Sequence, residues 1–149
     1  MRSILLLPLL FLSALPLAAI PSQKDALASA KRDAQGVYNI ASRTKDQAKF
    51  LETIIRLQEV GAKISAANQQ ALGSIRPGYP ADVKSKQAQQ TWDRKIGDIR
   101  RSLDDADREI RAFIPPAEMT PAGLRAVDAF IRTLDKAIEA HHNACLNIR

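Results

Sequence analysis

Prolines divide the chain into three long stretches. After the first 21 residues, proline occurs only at positions 77, 80, 115, 116 and 121. Because proline lacks a backbone donor and clashes with the preceding turn, it rarely lies inside a helix. The stretches 22–76, 81–114 and 122–149 are therefore each long enough for extended helices.

Apolar residues recur at spacings of three and four in all three stretches, which is the pattern of helices that pack on other helices. In the first stretch they are Leu27, Ala30, Ala34, Val37 and Ala41, then Phe50, Ile54, Leu57, Gly61, Ile64, Asn68, Ala71 and Ile75, widened by Leu51 and Ile55. In the second they are Trp92, Ile96, Ile99, Leu103, Ala106, Ile110 and Phe113. In the third they are Leu124, Val127, Ile131, Leu134, Ile138, His141, Cys145 and Ile148.

These patterns predict an all-α fold, a bundle of three long antiparallel helices with room for a short fourth helix at the N-terminus. Gly36 either breaks the first stretch or lies within a continuous helix. No stretch alternates with a period of two for long enough to propose a strand. Helices of ~33 residues are expected on both sides of the turn at 73–80, where Asp82 can cap the second. Thr120-Pro121 is a typical start for the last helix.

The N-terminus has the layout of a secretory signal peptide. Arg2 precedes an apolar run over 4–15, and Ala18 and Ala19 close the segment. The run is shorter than the ~20 residues that a membrane helix needs. Residues 1–19 are thus predicted to be removed. The remaining protein is predicted to be extracellular, or alternatively periplasmic, without stable membrane insertion.

A dibasic pair, Lys31-Arg32, follows the predicted signal peptide. Such a pair can be a processing site, which would make 20–32 a propeptide. The alternative is an N-terminal helix with a charged surface. In either case, 33–149 is expected to form a single helical domain.

The composition offers little catalytic chemistry. The chain has one Cys and two His, and His141, His142 and Cys145 are the only weak candidates for metal ligands. His141 and Cys145 lie four residues apart, but both continue the apolar pattern, which favours core residues. No catalytic motif or cofactor signature is present, so we predict a protein that is not an enzyme and has no cofactor. Cys145 is either free or paired with a second chain.

The formal net charge is +6. By segment, the excess is +3 over 24–72, +2 over 73–114 and zero over 115–149. A nucleic-acid interface would concentrate the basic residues, so no nucleic-acid partner is predicted. For an exported protein, acidic polysaccharide, cell wall or an anionic membrane surface suits such a charge better, and solubility alone is the commonest reason for it.

By elimination, we expect a small secreted interaction protein, effector-like or regulatory, that binds a protein partner or a cell surface. Ile75 and Tyr79, in the turn at 73–80, are the first candidates for its contacts. One alternative is a cell-wall protein that binds a lipid, another apolar ligand or a hydrophobic surface. A second is a periplasmic metal-handling or chaperone-like bundle. The heptad pattern leaves the oligomeric state open.

Overall fold

A computed structural model describes residues 22–148, so the predicted signal peptide lies outside the described residues. The described chain forms four helices, and no strand occurs within it. The helices are α1 (Lys24–Thr44), α2 (Gln47–Gly73), α3 (Lys86–Arg111) and α4 (Pro121–Asn147). The predicted all-α class is confirmed. None of these helices has an apolar stretch long enough to cross a bilayer.

The predicted count of three long helices differs from the structure, because the first stretch contains two. The chain turns at Lys45, which has a left-handed φ of 52° and donates its backbone N–H to Ala41. Asp46 then caps α2 by accepting the backbone N–H of Lys49 at 3.1 Å. Gly36 lies inside α1 and does not interrupt it. The result is four helices of 21 to 27 residues.

Side-chain caps also fix the starts of α3 and α4. Ser85, and not Asp82, caps α3 by accepting the N–H of Ala88 at 3.1 Å. Thr120 caps α4 as predicted, accepting the N–H of Gly123 at 3.0 Å.

Neighbouring helices run antiparallel, including the first and the last. The hydroxyl of Tyr38 in α1 donates to the carbonyl of Leu124 near the start of α4. At the other end of α1, the N–H of Gln23 donates to His141 near the end of α4. Phe113, just after α3, stacks on Phe130 of α4 at a centroid distance of 3.8 Å. This pairing brings the start of α1 and the ends of α2 and α4 to the same end of the bundle.

The main core lies between α1, α2 and α4. Its largest fully buried apolar side chains are Phe50, Leu57, Ile64, Val127 and Leu134. Gly61 allows α3 to approach closely, since a Cβ there would lie 3.0 Å from Ile110 Cγ2. Leu51 and Ile55, expected to widen the buried stripe of α2, are instead 40% and 58% exposed.

A second, smaller cluster joins the ends of α2 and α4 to the middle of α3. Its buried members are Ala71, Leu103, Ala144 and Cys145. Beside it, the buried carboxylate of Asp107 accepts the side-chain amide of Asn68 at 3.0 Å.

Candidate functional site

The first half of α3 extends beyond the rest of the bundle. Leu103 belongs to the same buried cluster as Ala71, two residues before α2 ends, and Cys145, two residues before α4 ends. No residue of α3 before Leu103 is buried. Ile99 is partly buried against the same cluster, whereas residues 86–98, some 20 Å of helix, contribute to neither core cluster.

The loop between α2 and α3 folds along this projecting half-helix. Tyr79 in the loop donates its hydroxyl hydrogen to Asp93 Oδ2 of α3 at 3.0 Å. That hydrogen bond raises the pKa of Tyr79, which keeps the phenol protonated as the donor. The loop and half-helix together form one feature, residues 76–101, which we call the arm.

A shallow groove of about 620 Å³ runs between the loop and the helix of the arm. Lys95 places its Nζ 5.3 Å from the centre of the Trp92 ring, so a cation and the only tryptophan of the chain share one wall. The groove is lined mainly by Pro80, Val83, Gln87, Thr91, Trp92 and Lys95. An open site of this composition suits an extended partner better than an enclosed small molecule.

The net positive charge of the described chain is concentrated on the arm. Residues 76–101 carry seven basic and three acidic side chains, a net charge of +4. The other described residues carry thirteen of each sign, a net charge of zero. The sum over 73–114 does not show this difference, because that segment combines the arm with the acidic second half of α3. The positive charge is thus not diffuse, which removes the ground on which no nucleic-acid partner is predicted. Only Arg101 among the arm's basic residues forms an ion pair within the described chain, with Asp98.

The two predicted contact residues lie in or beside the arm. Tyr79 is 46% exposed, whereas Ile75 is half-buried at the end of α2, with its backbone N–H bonded to Leu72. Trp92 and Lys95 were not among the predicted contact residues, because the apolar spacing assigns Trp92 to the packed face of α3. The charge difference between 76–101 and 104–111 was the available signal.

The candidate metal ligands separate into two environments. Cys145 Sγ lies 3.6 Å from His141 Nε2, and both side chains are buried. His142 instead bonds to the hydroxyl of Ser22 at 3.0 Å. Burial raises the pKa of the Cys145 thiol. No group of three His, Cys, Asp or Glu side chains converges on a metal position among residues 22–148.

His141 should make folding sensitive to acid. Its Nε2 accepts the N–H of Gln23, and its Nδ1 is buried without a partner. Burial, with a smaller contribution from the charge of His142, lowers the pKa of His141 below its ordinary value of 6.5. The unfolded chain therefore binds this proton more readily. We expect the free energy of unfolding to fall as the pH drops below about 6.5, by at most ~1.4 kcal/mol per pH unit.

Urea titrations between pH 7.5 and 5 measure this effect. In His141→Leu, the free energy of unfolding should fall less steeply as the pH is lowered. The control His142→Gln, at a half-buried side chain, should keep most of the pH dependence. An equally steep decline in His141→Leu would assign the acid sensitivity to other groups.

Comparison with known proteins gives no relative: no family model, no curated protein and no solved structure matches the chain. The function proposed below is therefore based on the arm.

Proposed function

We propose that the chain is a small exported binding protein and that the arm is the surface by which it attaches to a partner outside the cell. The observation that carries this proposal is the projection of the arm, which combines the chain's excess positive charge with Trp92 and Tyr79. Tryptophan, tyrosine and arginine are the residues that most often dominate binding energies at interfaces.

The packing of the chain supports this division of roles. The side chains of α1, α2 and α4 supply the main core and hold the structure together. From the arm, Ile99 alone packs against a core cluster, and it is only partly buried, so the other side chains of the arm contribute little to the cores of the bundle. Residues of a projecting loop and half-helix that do not pack in the core are candidates for binding a partner.

Retention on the cells that produce the protein tests the proposal. Fluorescently labelled chain 20–149 is incubated with these cells, washed and quantified. Tyr79→Ala/Trp92→Ala should lower the retained amount by about tenfold, the effect of losing ~1.4 kcal/mol of binding free energy. Thermal unfolding of both proteins verifies that the variant is folded.

Leu51→Ala/Ile55→Ala is the control, because it removes two large side chains from the surface of α2, where they are 40% and 58% exposed. This variant should be retained like the parent chain. Equal losses in both variants, or unchanged retention of the arm variant, would contradict a binding role for the arm.

A further inference from the structure

The partner chemistry that best fits the arm is an acidic polysaccharide. We infer that the groove binds a chain of carboxylated or sulfated sugars, with one sugar ring against Trp92 and its acidic group near Lys95. This inference rests on the proposed function and names the class of its partner.

Charge complementarity is the first argument. Apart from Arg101, the arm's basic residues form no ion pair with a described residue, and most are well exposed. Those that remain available are Arg76, Lys84, Lys86, Arg94, Lys95 and Arg100. Along an extended polyanion, several such cations act together and each replaces a counterion, so binding is favourable at low salt and weakens as salt is added.

The groove gives the second argument. The Lys95 ammonium lies over the Trp92 ring, 5.3 Å from its centre, so a sugar ring that packs its C–H groups on this aromatic face has to displace the ammonium. The displaced ammonium can then meet the carboxylate or sulfate of that sugar. Asp82 and Gln87, which also line the groove, offer an acceptor and an amide to sugar hydroxyls.

The arm fits an anionic membrane less well. Surfaces that insert into bilayers present several exposed apolar side chains. On the arm, Tyr79 is the only large hydrophobic residue with high exposure, because Val83, Trp92 and Ile96 are half-buried against the loop or helix. The arm therefore presents positive charge and one groove with an aromatic wall, and it does not present an extended apolar face.

Binding of the full chain 20–149 to polygalacturonate and to dextran sulfate tests the inference. Calorimetry at low salt should show binding to at least one of them and none to neutral dextran. Neutralising the arm should raise Kd by at least about tenfold, since several ionic contacts are lost. The arm variant is Lys84→Gln/Lys86→Gln/Arg94→Gln/Lys95→Gln.

A control variant that loses the same number of positive charges from another part of the chain distinguishes a specific site from nonspecific electrostatic attraction. Its substitutions lie at exposed basic residues of α2 and α4, Lys49→Gln/Lys63→Gln/Arg132→Gln/Lys136→Gln. This control should change Kd less than about twofold if the arm is the site. An equal loss in both variants would overturn the inference and indicate nonspecific attraction.

Two further probes identify other partner classes. Tighter binding to vesicles with 30% phosphatidylserine, or to double-stranded DNA of equal charge concentration, would overturn the polysaccharide assignment. Absence of binding to both polymers, with arm-dependent retention on cells, would refute this inference while leaving the proposed function in place. If Tyr79→Ala/Trp92→Ala is retained on cells as well as the parent chain, the proposed function itself is refuted.

Discussion

Phe50→Ala is expected to lower the free energy of unfolding by about 3–5 kcal/mol. Phe50 is fully buried in the first turn of α2 and belongs to the main cluster that joins α1, α2 and α4. Truncation removes its transfer free energy and leaves a cavity that the surrounding helices can fill only in part. Since domains of this size are stable by about 5–15 kcal/mol, a measurable fraction of the variant should be unfolded in mild urea.

Urea unfolding followed by circular dichroism measures the difference. Ile55→Ala, one turn further along α2 at a side chain that is 58% exposed, is the control and should change stability by no more than ~0.5 kcal/mol. Similar losses in the two variants would mean that the faces of α2 are assigned incorrectly.

Asn68→Ala is expected to lower the free energy of unfolding by about 2 kcal/mol, the second-largest effect on stability. The Asn68 amide donates to the buried carboxylate of Asp107 at 3.0 Å, and hydrogen bonds to charged groups contribute about 1.5–3 kcal/mol. Without it, Asp107 keeps the amide of Gln69 at 3.2 Å and an Arg111 nitrogen at 3.7 Å. Neither of these lies as deep in the α2–α3 contact.

A double-mutant cycle isolates this interaction. The double variant Asn68→Ala/Asp107→Ala should lose less stability than the sum of the two single variants, with a difference of about 1–2 kcal/mol. Additive losses would show that Asn68 and Asp107 contribute independently and that their contact does not hold α3 against α2.

The apolar spacing predicted most of the buried surface, because helix packing imposes a period that is visible in sequence. Leu103 and Leu134, on the predicted packed faces of α3 and α4, are fully buried. The turn at Lys45 was not predictable in the same way. It contains neither glycine nor proline, and the left-handed φ of Lys45 is stabilised by a backbone hydrogen bond and by the cap at Asp46.

The arm depends on the relative lengths and register of helices, which local spacing does not reveal. Ile96 and Ile99 continue the heptad pattern of Leu103, so the sequence alone gives no sign that α2 and α4 end first. Register is set by tertiary contacts such as those within the buried cluster of Leu103, Ala71 and Cys145. Once the register is known, the concentration of charge on 76–101 follows from the sequence.

Nuclear magnetic resonance mapping tests the central claim that the arm, rather than the bundle, contacts the partner. ¹⁵N-labelled chain 20–149 is titrated with a short galacturonate oligomer, and amide and indole signals are followed. We expect concentration-dependent shifts within residues 76–101, including the Trp92 indole N–H, and unchanged signals in α1 and in the first half of α2. Shifts centred on α1 or on Leu51 and Ile55, with an unperturbed arm, would contradict the claim.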